Sequence, residues 1–79
     1  GLFAVRQATP LNGGHLRLQL QAADGTGPVW PAIAFGAQES GWDRLAGPVR
    51  VLYSPEVNRY RGTVSLQLRV EHMEPQPGG

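Results

Sequence analysis

Strict alternation of apolar and polar residues is the feature that most narrows what this chain can become. From His15 to Gln21, Leu16, Leu18 and Leu20 interleave with His15, Arg17, Gln19 and Gln21. From Val64 to Glu71, Val64, Leu66, Leu68 and Val70 interleave with Ser65, Gln67, Arg69 and Glu71. A period of two puts the apolar members of each run on one face of an extended strand, which predicts two half-buried β-strands. Long helices need stretches free of glycine and proline. With 11 Gly and 7 Pro among 79 residues such stretches are few, and a β-rich single domain is favoured.

The remaining elements fall between turn signals. Leu2 to Thr9, with Phe3, Val5 and Ala8 as its apolar positions, predicts a first strand before Pro10 and an Asn12-Gly13-Gly14 turn. Asp24 to Gly27 form the next turn, and Val29 to Gly36 a third strand in which Pro31 requires an edge or a bulge. Ala37 to Ala46 lacks alternation and holds several helix formers, so one or two helical turns are expected there, with Trp42 and Leu45 sharing a face that plugs an open barrel end. Gly47 and Pro48 stop that segment. Val49 to Asn58 predicts a fourth strand with Val49, Val51, Tyr53 and Val57 on one side and a bend at Pro55. Thr63 to His72 predicts the fifth, after a turn carrying Asn58 to Gly62. Three strands, a short helix and a hairpin match an all-β, five-stranded OB-fold Greek-key barrel with its helix between strands three and four. The domain is expected over residues 1–74. Residues 75–79 read as a flexible tail or linker, and the start at Gly1 with that tail suggests a piece of a larger protein.

Several kinds of chemistry find no support. There is no cysteine, hence no disulfide framework and no thiolate metal site. His15 and His72 are far apart in sequence, with no ligand at helical spacing to either, so no metal site is expected. Asp24, Glu39, Asp43, Glu56, Glu71 and Glu74 are scattered without a paired acidic motif. Ser40, Ser54 and Ser65 lack a nucleophile-elbow context, and the glycines form neither a phosphate loop nor a dinucleotide fingerprint. The chain reads as non-catalytic, with no catalytic residue and no cofactor of its own. No apolar run reaches membrane-spanning length, and a soluble, cytoplasmic chain is expected.

A binding surface remains. In an OB fold it lies on strands two and three and on the loops joining strands one to two and four to five. His15, Arg17 and Gln19 project from strand two opposite the leucines. Arg59, Tyr60 and Arg61 stand at the hairpin, where two guanidiniums flanking a phenol can pair with phosphates while the ring stacks on a base. The alternative is an ordinary polar turn. Trp30 shares a face with Ala32, Ala34 and Gly36, a row flat enough for a base or a backbone, but close packing of the helix or of a neighbouring domain demands the same smallness. Gln67 and Arg69 on strand five could extend the groove, but read first as a solvated strand face. All 7 cations are arginine, yet the net charge is only +1, so affinity for nucleic acid would have to be local.

The segments GHLRLQL at Gly14 to Leu20, AIAFG at Ala32 to Gly36 and EVNRYRGTVSLQLRVEHM at Glu56 to Met73 together resemble the OB domain of bacterial RecJ. That family comprises exonucleases that degrade single-stranded DNA in the 5′ to 3′ direction, in DNA repair and recombination. The resemblance implies a domain that holds single-stranded DNA, with His15, Arg17, Trp30, Arg59, Tyr60 and Arg61 as candidate contacts. It also implies a parent whose separate nuclease domains bind manganese or magnesium, so the expected partners are single-stranded DNA and those catalytic domains, not a membrane. Two other functions stay open: a docking or spacer module using Trp30, Ala32, Ala34 and Trp42, and an RNA-binding OB domain.

Overall fold

The computed structural model describes residues 2–45 and 47–76. Its strands are β1 (Leu2–Leu11), β2 (His15–Ala22), β3 (Trp30–Ala34), β4 (Val49–Tyr60) and β5 (Thr63–Pro75), with a single 3-10 turn at Trp42–Arg44 between β3 and β4. The hydrogen-bonded order β1-β2-β3-β5-β4 returns to β1 through Leu2 opposite Arg50 and Phe3 opposite Val49, closing the sheet into a barrel. All neighbours are antiparallel except β3 and β5, whose parallel contact is limited to Ala32 opposite Leu68 and Ile33 opposite Arg69.

The leucine row of β2 turns inward as its alternation requires: Leu16, Leu18 and Leu20 are each 0% exposed. Burying each of them stabilises the fold by about 1.5–3 kcal/mol. Across the β2/β3 ladder Leu16 faces Ala34, Leu18 faces Ala32 and Leu20 faces Trp30. Ala32 and Ala34 are buried, because large side chains on one strand leave room only for small ones opposite. Of the two explanations for the small row, close packing holds, and Ala32 and Ala34 are not available as the contact surface of the docking alternative. The row belongs to the core, together with Ala37, Val49, Val51, Leu68, Val70 and Met73. Phe3, Val5, Ala8, Trp30, Trp42 and Leu45 pack around its margin.

On β5 the inward row is Leu68, Val70 and Met73, which breaks the period of two. The cause is a bulge: Leu52 faces His72 while Tyr53 faces Val70, leaving Glu71 without a partner and shifting every later side chain to the other face. The irregularity expected at Pro55 is therefore found between Leu52 and Tyr53 instead. Pro55 sits within the ladder opposite Leu68. Pro31 is accommodated because the β3/β5 ladder covers only Ala32 and Ile33, so the proline has a neighbouring strand on one side alone.

The helix expected over Ala37 to Ala46 shortens to the turn at Trp42–Arg44, while Ala46 lies outside the described residues. Gly41 precedes the turn in the left-handed region, at φ 81, which interrupts any helical run before a nucleus of several residues forms. Trp42 and Leu45 nevertheless both pack against the core, as their spacing suggested. At the other end, Pro75 closes β5 and the Gln76 N–H donates to the Pro48 carbonyl at 3.1 Å. The first two residues of the expected tail are thus held on the sheet, and 77–79 lie outside the described residues.

Beyond Pro55 and Leu68 the β4/β5 ladder continues alone to Tyr60 opposite Thr63. Every residue from Val57 to Leu66 is exposed, so this part of the hairpin is an arm that leaves the barrel with both faces in solvent. The turn is the pair Arg61-Gly62, at φ 49 and φ 79. Positive φ at both central residues defines a two-residue type I′ hairpin. The strand expected to end at Asn58 runs on to Tyr60, so Arg59 and Tyr60, expected in the turn, belong to β4.

Candidate nucleic-acid interface

Register carries the outward-facing side chains into rows across strands. Thr9, Arg17 and Ile33 are successive partners from β1 to β3, and Ile33 is in turn the partner of Arg69 on β5. Arg17 and Arg69 therefore stand on one outer face, two strand spacings or about 10 Å apart, with Ile33 between them. Phe35, just past the end of β3, projects from this face and is 50% exposed. Its ring meets the His15 ring edge-to-face at 5.2 Å, and the Arg69 guanidinium carbon lies 5.3 Å from its centroid.

His15 is fixed from several sides. Its Nδ1 accepts the Gly36 N–H at 2.8 Å, and a Cβ at Gly13 would come within 3.1 Å of its Nε2. The loop between β1 and β2 and the end of β3 are joined through this one imidazole. The positioned surface therefore combines an ordered, half-exposed aromatic ring with two guanidiniums. Rings of this kind stack on bases and guanidiniums pair with phosphates, which is how single strands are commonly held. Arg69 has a competing partner as well, the Glu56 carboxylate at 3.6 Å.

The six residues singled out from sequence divide between two faces. His15 and Arg17 lie in the outer cluster. Tyr60, 70% exposed, shares the outer face of the β4/β5 ladder with Thr63, Asn58, Ser65, Glu56, Gln67 and Arg69. Arg61, in the turn, brings its guanidinium carbon to 5.3 Å from the Tyr60 ring. The six residue steps along β5 from Thr63 to Arg69 separate this tip from the Phe35 cluster by about 20 Å.

Arg59 and Trp30 belong to the inward-facing rows. Arg59 is opposite Val64, at the far end of an apolar row made by Tyr53, Pro55 and Val57 on β4 and Val64, Leu66 and Leu68 on β5. Trp30 is half-buried beside Leu20, and with Phe3, Tyr53, Pro55, Leu66 and Leu68 it lines a shallow apolar hollow at the root of the arm. Phe3 and Tyr53 meet there edge-to-face at 5.8 Å. The triplet Arg59-Tyr60-Arg61 is thus divided, with Arg59 on one side of the arm and the Tyr60/Arg61 pair on the other.

Two residues of the outer cluster were not among the sequence candidates. Phe35 was hidden because Ile33 in β3 and Phe35 just past its end form one apolar row while Trp30, Ala32 and Ala34 form another, and alternation alone does not say which is inside. The size of Leu16 and Leu18 was the usable signal, since they leave room only for the small Ala34 and Ala32 opposite them. Arg69 read as an ordinary solvated position, and only the short parallel contact with β3 brings it beside Phe35.

Among the described residues no group of three or more His, Asp or Glu side chains is arranged to hold a metal ion. Among the described residues no helix is long and apolar enough to cross a membrane. The architecture is that of a small closed five-stranded β-barrel whose outer face carries an aromatic ring beside an arginine. Residues 3–72 match the RecJ OB domain family, so the chain belongs to that family. A curated relative, the single-stranded-DNA-specific exonuclease RecJ of Dickeya dadantii (strain 3937), is 33% identical over 76 residues, covering 95% of this chain and 13% of the relative. The chain thus corresponds to a small part of that relative's length. No solved structure matches the chain.

Proposed function

We propose that this chain is the single-stranded-DNA-binding OB domain of a RecJ-like 5′ to 3′ exonuclease acting in DNA repair and recombination, and that it is itself non-catalytic. The observation that carries the reading is the shared outer face on which Arg17, Phe35 and Arg69 converge. Phe35 offers a ring to a base, Arg17 and Arg69 offer guanidiniums to the flanking phosphates, and Tyr60 with Arg61 extends the track along the arm. In this reading the barrel is an OB barrel and its ligand crosses β2 and β3. Family membership and the relative's name supply the ligand class. Bond cleavage, with its manganese or magnesium, is assigned to other domains of a cytoplasmic parent, as the family resemblance implies.

The test is fluorescence anisotropy of the chain with a labelled oligothymidylate. Binding is expected to weaken with salt along a shallow slope, because few phosphates are contacted. Losing the Phe35 ring, as in Phe35→Ala, should cost about 1–3 kcal/mol of affinity, the usual worth of one stacked base. Unchanged binding by Arg17→Ala and Phe35→Ala together would rule this face out.

A second reading is favoured by one observation, the exposed apolar row of Tyr53, Val57, Val64 and Leu66 on the inward side of the arm. Exposed apolar surface of this kind suits docking against a neighbouring domain of the parent. It differs from the docking surface expected from sequence, because Ala32 and Ala34 are buried. The two readings use opposite faces and are compatible.

A further inference from the structure

We propose that Glu56 acts as an intramolecular competitor for the nucleic-acid phosphate, holding Arg69 in reserve and setting the affinity of the outer face; this rests on the reading of that face as the single-strand site. Arg69 is constrained in two ways. Its guanidinium carbon lies 5.3 Å from the Phe35 centroid, and its Nη1 lies 3.6 Å from Glu56 Oε1. The Arg69 side chain is 52% exposed and that of Glu56 35%, so a ligand can reach the cation without unfolding anything.

Register explains the arrangement. Glu56 is opposite Gln67 and Ser54 is opposite Arg69, so Glu56 and Arg69 are diagonal neighbours on the outer face of the β4/β5 ladder. The same carboxylate that steadies the free protein must give up its partner when a phosphate binds. An exposed pair of this kind is weak, so the exchange is cheap and reversible, and removing Glu56 should tighten binding by about two- to fivefold. The second outer carboxylate in this region, Glu71, is occupied differently: it stands at the bulge and accepts the Ser54 hydroxyl at 3.2 Å. Glu71→Gln removes the same formal charge without releasing Arg69.

The experiment is oligothymidylate anisotropy at fixed salt on the whole chain and on Glu56→Gln, Glu71→Gln, Arg69→Gln and the Glu56→Gln/Arg69→Gln double variant, with folding checked by circular dichroism. The proposal expects Glu56→Gln to tighten binding about two- to fivefold and Glu71→Gln to leave it unchanged. It expects Arg69→Gln to weaken binding, and the Glu56→Gln gain to vanish once Arg69 is gone. A gain that persists without Arg69, or that Glu71→Gln reproduces, overturns the proposal and leaves the single-strand reading standing, because it reports general charge and not a released arginine. No effect of Glu56→Gln on a chain that does bind also overturns it. No binding by any variant removes both the proposal and the reading beneath it.

Discussion

Arg59 and Tyr60 are consecutive in the chain and lie on opposite faces of the β4/β5 arm: Arg59 opposite Val64 in the apolar row, Tyr60 opposite Thr63 in the polar one. A basic-aromatic triplet that looks like a single grip in sequence is therefore two half-sites. If the outer face holds the strand, Tyr60→Ala weakens oligothymidylate binding by about 1–3 kcal/mol. Arg59→Ala then changes it only through general charge, by a small, salt-sensitive amount. Equal losses from the two variants would place the strand around the tip instead of along one face.

The alanine row of β3 offers a test of which side is inside. Ala34 is buried opposite Leu16, so Ala34→Leu forces extra volume into a filled space and should destabilise the chain by about 1–3 kcal/mol in denaturant unfolding. A docking surface on that row predicts a change within about 0.5 kcal/mol, as is usual for exposed positions.

The hairpin turn makes a prediction of the opposite sign. Arg61 adopts φ 49, the one non-glycine residue with positive φ among the described residues. A long side chain is strained in that region, whereas asparagine followed by glycine suits a type I′ turn. Arg61→Asn should stabilise the chain by about 0.5–1 kcal/mol, read as a higher Tm, while weakening oligothymidylate binding. Higher stability together with weaker binding would mark Arg61 as a ligand contact held in a strained turn. Lower stability on substitution would mean that the contact with Tyr60 outweighs the strain.

Asp24 supplies the pH dependence. The Thr26 hydroxyl donates to its carboxylate at 2.6 Å and the Thr26 N–H at 2.9 Å. These bonds hold the carboxyl below its ordinary value of 3.8, the hydroxyl contributing most. With the folded value depressed, the turn's contribution to stability is present above 3.8 and fades as pH falls through the folded-state value. An NMR titration of the Asp24 side chain should show a midpoint below 3.8, and Thr26→Val should raise it. A wild-type midpoint at or above that value contradicts the hydrogen-bonded turn.

Much of the architecture was legible because alternation is a direct consequence of strand geometry. Leu16, Leu18 and Leu20 were readable as a core face, and the turn signals at Asn12 to Gly14 and Asp24 to Gly27 separate β1, β2 and β3. Alternation was silent wherever both rows of a strand are apolar, as in β3, and it gave no warning of the bulge at Glu71 that moves Met73 into the core. It also overstated burial in β5. Val64 and Leu66 keep the same period as Leu68 and Val70, yet the arm carries them beyond the barrel, because a periodic pattern states which face a residue shares and not how far the neighbouring strands extend. The helix formers of Ala37 to Ala46 were outweighed by Gly41, whose left-handed backbone leaves room only for a 3-10 turn. For the site, Arg17 and His15 followed from strand parity. Phe35 and Arg69 depended on a two-residue parallel contact between strands far apart in the chain, and such a contact leaves no local trace.

The most direct measurement is chemical-shift mapping of the isotope-labelled chain titrated with oligothymidylate. Perturbations are expected to centre on His15, Arg17, Ile33, Phe35 and Arg69, extending to Tyr60 and Arg61 as the oligomer lengthens. Perturbations confined to Trp30, Tyr53, Val57 and Leu66 on the inward side of the arm, or none at saturating oligomer, would contradict the outer-face site.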